Sequence, residues 1–126
     1  MYTQQYIFIM QTGKECFITG WGYINNEKEQ PNQLQQAKVP IVDIKICRKK
    51  YKGKKITKNM LCAGYIGVDS CNGDSGGPLV CKKAKKWYLT GITSFGEKCC
   101  GSNYGVYANV AKLSGWIKKI LNLKLL

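Results

Sequence analysis

Apolar residues along this 126-residue chain recur mostly in short runs bounded by polar or glycine-containing stretches. CFITGWG (16–22) is a brief apolar run that ends in glycine, and LQQAKVPIV (34–42) alternates loosely. MLCAGY (60–65) and GPLVC (77–81) are shorter apolar runs. KWYLTGITSF (86–95) is rich in β-branched and aromatic residues, and YGVYANV (104–110) has the same character. Such runs predict strands. Six of them with polar, glycine-containing connections predict an all-β domain, a small barrel or sandwich.

Two segments follow a helical period instead. In DIKICRKKY (43–51), Ile44, Cys47 and Tyr51 fall on one face. Near the C-terminus, Leu113, Trp116, Ile117, Ile120 and Leu121 form an apolar stripe while Lys112, Lys118 and Lys119 lie opposite. That pattern predicts an amphipathic helix packed on its own domain in preference to a membrane-surface helix. The polar segment 25–36 reads as an exposed loop. No internal repeat, linker or N-x-[ST] sequon occurs.

Charge changes the picture more than composition does. Lys and Arg number 20 against 7 acids, giving a net charge of +13, and all but Arg48 are lysines. Such a field favours anionic partners. Eight cations lie between Lys45 and Lys58, a segment that is either a solvated loop or an exosite for a heparin-like polyanion. The 7 cysteines point to an oxidising, extracellular compartment. Zinc is disfavoured, because no C-x2-C pair exists and histidine is absent; no metal or cofactor is expected. Three bridges would leave one cysteine over. The apolar run Tyr6 to Met10 is too short for a signal core or a membrane span.

The candidate chemistry lies in SCNGDSGGPLVC (70–81). Gly73-Asp74-Ser75-Gly76-Gly77 fits the G-x-S-x-G nucleophile elbow, yet no histidine follows Ser75, and no alternation of strands and helices surrounds it. A plain glycine-rich turn is the bland alternative. Glycines at 73, 76 and 77 remove side chains where backbone N–H groups must approach a developing oxyanion. Gly73-Asp74-Ser75-Gly76-Gly77-Pro78 resembles the GDSGGP signature of the trypsin/chymotrypsin family. Further resemblance lies in Thr19-Gly20-Trp21-Gly22, Met60 to Tyr65, Gly91 to Gly96, Gly105-Val106-Tyr107 and the Trp116-Ile117 helix, over roughly residues 16 to 122.

The resemblance implies the C-terminal half of a double β-barrel: residues 1–15 a lead-in from the missing half, residues 16–126 one six-stranded antiparallel barrel with a C-terminal helix. It implies Ser75 as nucleophile and the backbone N–H groups of Gly73 and Ser75 as the oxyanion hole. It places Asp69, Ser94, Gly96 and Gly105 at the pocket for a substrate Lys or Arg. Asp74 matches an activation switch that pairs with an N-terminal ammonium from the missing half. The implied disulfides are Cys16–Cys81, Cys47–Cys62 and Cys71–Cys99, with Cys100 an alternative partner for Cys71. Departures from the family pattern are Phe95 in place of tryptophan, Lys98 at the pocket rim, a short Ile66-Gly67-Val68 loop and Tyr104 before Gly105.

The expected activity is a trypsin-like serine endopeptidase cleaving after Lys or Arg in protein substrates. The family's catalytic histidine and aspartate belong to the missing barrel, so this chain alone is expected to be inactive. The competing expectation is a non-catalytic, polyanion-binding half-barrel. Nucleic acid is not an expected partner.

Overall fold

The computed structural model describes residues 9–25, 27–67, 73–96 and 103–124. Six strands appear in chain order: β1 (Glu15–Gly20), β2 (Gln35–Val42), β3 (Met60–Ala63), β4 (Pro78–Lys83), β5 (Lys86–Phe95) and β6 (Gly105–Asn109). Each coincides with one of the apolar runs, and β5 spans the same residues as its run. They close into an antiparallel barrel in the order β1-β2-β3-β6-β5-β4, with β4 pairing back to β1. Closure removes the exposed strand edges that an open sheet of this size would present.

Alternation along the strands builds two cores. Inward-facing Cys16, Ile18, Val39, Ile41, Leu61, Ala63, Leu79, Cys81 and Tyr107 fill the barrel. The disulfide Cys16–Cys81 joins directly opposed residues of β1 and β4 at the closing seam. The second core lies outside, where Cys62 of β3 and Val106 of β6 meet Cys47, Tyr51 and Ile56.

Helix α1 (Ile44–Lys50) carries that outer core. The Asp43 carboxylate caps its start by accepting from Lys45 N–H at 2.7 Å. Cys47 and Tyr51 are fully buried, as the helical period predicts, while Lys45, Arg48, Lys49 and Lys50 face solvent. The Cys47–Cys62 disulfide ties the helix to β3 and closes a loop of sequence separation 15, a constraint on the unfolded chain of about 3 kcal/mol.

Helix α2 (Val110–Lys124) rests on β5 and β6. Its stripe does not pack wholly on the domain, contrary to the sequence expectation. Leu113 and Ile117 are half-buried, but Trp116 is 64% exposed and Leu121 is 54% exposed. The physical reason is angular: Leu113 and Ile117 lie at the middle of the stripe and face the barrel, whereas at 100° per residue Trp116 and Leu121 fall on its two flanks.

The β4–β5 hairpin turns through Ala84 and Lys85 at φ 48° and 65°. Two consecutive left-handed residues are the geometry of a type I′ turn, which Asn-Gly adopts with least strain. Replacing Lys85 by glycine is expected to raise stability by about 1 kcal/mol, read as a higher urea midpoint with unchanged slope. A lower midpoint would contradict this backbone reading.

Candidate active site

Ser75 sits on an exposed turn immediately before β4. The Asp74 carbonyl accepts from Gly77 N–H at 2.9 Å, closing a four-residue turn with Ser75 second and Gly76 third. Gly76 has φ +82°, the value a type II turn requires at its third position. The turn is stitched to β5 on one side: Gly76 N–H donates to the Thr93 carbonyl at 2.8 Å, and Thr93 N–H donates to the Gly77 carbonyl at 2.9 Å. Ser75 is therefore lifted into solvent by a backbone fixed at both ends of the turn.

Asp74 anchors the turn on its other side. Its carboxylate accepts from Gly22 N–H at 2.8 Å, across 52 residues of chain. A methyl group at Gly20 would lie 1.9 Å from Asp74 Oδ1, and one at Gly22 would lie 2.5 Å from the carboxylate carbon. The carboxylate thus occupies a cradle that only glycine leaves open. The same face of the Thr19–Gly22 segment also meets Gly73, where an added methyl would lie 3.0 Å from Gly22 Cα. The two glycines flanking Trp21, two residues apart, are the sequence signal of this cradle. Asp74 was expected to lack its ammonium partner in this chain, and within the chain a backbone N–H holds it.

Ser94, Gly96 and Gly105 gather at the same end of the barrel. Ser94 and Gly96 are exposed beyond Thr93, the residue that binds the Ser75 turn. Phe95 pairs with Val106, which brings the end of β5 beside the start of β6 at Gly105. Gly105 is buried, and a methyl there would lie 2.8 Å from the hydroxyl oxygen of Tyr107 and 3.0 Å from its Cε2. The fully buried Tyr107 ring leaves room only for glycine at this position. Phe95 packs edge-to-face on Tyr51, with ring centroids 5.9 Å apart, and the Tyr51 hydroxyl donates to the Tyr104 carbonyl. The outer core thereby supports the segment before Gly105.

Cys16–Cys81 and Cys47–Cys62 are both formed. Asp69, Cys71, Cys99 and Cys100 lie outside the described residues, as does Lys98. The chain contains no histidine, so no imidazole of its own reaches Ser75.

A family model described as Trypsin matches residues 4–117. Coagulation factor XI of Bos taurus is 48% identical over 106 residues, which cover 82% of this chain and 17% of that protein. This agrees with the resemblance of KKYKGKKITKNMLCAGY (49–65) to factor XI and plasma kallikrein. The solved structure of neuropsin, a serine protease expressed in the limbic system of mouse brain, superposes with a TM-score of 0.83 at 41% identity. That match covers 94% of this chain and 52% of neuropsin, so the chain spans about half of the structure it resembles.

The glycine cradle makes two substitutions diverge. Gly22→Ala is expected to lower stability by about 2 kcal/mol by driving out the Asp74 carboxylate. Gly115→Ala, in a helix position with nothing within 4 Å, is expected to raise it by up to about 1 kcal/mol. Urea unfolding of both variants checks the pair; equal midpoints would contradict the cradle.

Proposed function

The chain belongs to the trypsin family of serine proteases, and from that premise we propose that it supplies the nucleophile-bearing half of a secreted endopeptidase that cleaves after Lys or Arg. The observation that carries this reading is the Ser75 turn, exposed at its second position and held by Asp74 on one side and Thr93 on the other. Ser75 Oγ attacks the scissile carbonyl to form an acyl-enzyme. The N–H groups of Gly73 and Ser75 donate to the oxyanion, each such donor being worth about 3 kcal/mol. Backbone from Ser94 to Gly96 pairs with the substrate strand, and Asp69 receives the substrate cation. The proton acceptor is an imidazole on a second barrel outside this chain. The exposed apolar residues Trp116, Ile120 and Leu121 of α2 support a contact surface for that barrel. The two disulfides and the factor XI relationship support an extracellular setting.

Hydrolysis of reporter peptides tests this. The purified chain is expected to show background rates only, since loss of a comparable triad histidine costs on the order of 10^6 in kcat. Association with a histidine-bearing N-terminal barrel from a trypsin-family relative is expected to give cleavage after Lys and Arg, abolished by Ser75→Ala. Hydrolysis by the lone chain that Ser75→Ala removes would overturn the shared-site reading. Cleavage after aromatic residues would overturn the role of Asp69.

The basic segment supports a second contact. Lys45, Arg48, Lys49, Lys50, Lys52, Lys54, Lys55 and Lys58 are all exposed on a disulfide-closed excursion anchored by Cys47–Cys62. Arg48 Nε donates to the Ile56 carbonyl at 3.0 Å, which stiffens that excursion. This segment is proposed to bind a heparin-like polyanion. Retention on heparin is expected to fall steeply with salt, and combined Lys49→Ala, Lys50→Ala and Lys52→Ala changes are expected to lower the eluting salt concentration. Elution unaltered by those changes would remove the exosite.

A further inference from the structure

The outer face of β2, β1, β4 and β5 carries a patch that the proposed proteolysis does not use. Phe17 on β1 is directly opposite Lys38 on β2 and Val80 on β4, and Val80 is opposite Leu89 on β5. One step along the strands, Lys82 is opposite Trp87. The two-residue period puts these six side chains on the face opposite buried Cys16, Ile18, Leu79 and Cys81. Trp87 is 54% exposed and Leu89 48%.

The aromatic centre of the patch is ordered and ringed by ammonium groups. Trp87 meets Phe17 edge-on, with centroids 5.7 Å apart. Lys82 Nζ lies 5.7 Å from the Trp87 ring, and Lys38 Nζ lies 5.9 Å from the Phe17 ring. The carboxylate in this neighbourhood is Glu15, 3.5 Å from Lys38 Nζ. At the hairpin tip, Lys83 and Lys86 alternate to the other face, and the turn adds Lys85, in the left-handed conformation that glycine or asparagine would adopt more readily. Charge is thus kept at the tip against the local backbone preference.

We propose that this face docks on the surface of an anionic phospholipid bilayer. The chain's net charge of +13 gives the long-range attraction to acidic headgroups. Trp87, Leu89 and Val80 then enter the interfacial layer while Lys38 and Lys82 beside them and Lys85 at the tip reach phosphate oxygens, an arrangement suited to side chains with an apolar body and a polar end. A soluble polyanion would use the ammonium groups and gain little from exposed Leu89. Among the described residues no helix is long and apolar enough to cross a membrane, so this is a surface contact.

Cosedimentation of the full chain with phosphatidylcholine vesicles, with and without phosphatidylserine, tests the proposal. Binding is expected only with phosphatidylserine and is expected to weaken as salt rises. Trp87→Ser should reduce it roughly tenfold, Trp87→Phe should retain it, and Lys82→Glu with Lys85→Glu should also reduce it roughly tenfold, each with an unchanged unfolding midpoint. The Lys49, Lys50 and Lys52 alanine variant should retain it. No sedimentation with acidic vesicles, or undiminished sedimentation of Trp87→Ser, would overturn the proposal. So would loss through Trp116→Ser instead, which would assign the contact to α2. Trp87→Ser weakening heparin retention as much as vesicle binding would make the occupant a sulfated glycan, and Trp87-dependent dimers in ultracentrifugation would make it a second copy.

Discussion

A single carboxylate seated against bare backbone organises the end of the barrel that carries Ser75. Asp74 accepts from Gly22 N–H, and neither Gly20 nor Gly22 has room for one carbon more. A half-buried carboxylate is costly to desolvate unless hydrogen bonds replace water. Meeting that requirement forces the turn carrying Ser75 down onto the end of β1. The serine next in sequence is then turned outward, because successive residues of a tight turn cannot share one direction.

The barrel supplies the counter-anchor. Thr93 exchanges hydrogen bonds with both Gly76 and Gly77, so the Ser75 turn is continuous with the edge of β5 that leads to Ser94 and Gly96. On β6, alternation sends Tyr107 inward beneath Gly105 and Val106 outward into the core under α1. One short strand therefore couples the backbone at Gly105 to both cores. The Cys47–Cys62 disulfide extends this coupling to the lysine-rich excursion, whose backbone is held while its ammonium groups remain in solvent.

Charge and apolar surface are combined in different proportions in three places. The excursion around α1 is dominated by exposed cations, with Ile46 exposed among them. The α2 stripe is apolar at Trp116, Ile120 and Leu121. The β1-β2-β4-β5 face interleaves aromatic, aliphatic and ammonium groups across neighbouring strands. Each of these three surfaces is positioned by a different part of the same fold.

All six strands and both helices were legible in the order of residues, because short β-branched runs and the 44–47–51 spacing express local backbone preference directly. Ser75 was legible for a related reason: a type II turn needs glycine at its third position, and glycine is visible as a letter. The neighbours of Asp74 were not legible, since Gly20 and Gly22 lie more than fifty residues away and their need for emptiness appears only when the barrel closes. Nor was the exposure of Trp116 and Leu121, because an amphipathic period shows that a helix has an apolar face but not how much surface lies beneath it. Gly105 belongs to both kinds: its motif marked it as a pocket wall, while the Tyr107 ring that excludes any side chain there is set by strand pairing. Local conformation follows from neighbouring residues, whereas steric exclusion and burial depend on distant ones, and only the closed barrel brings those together.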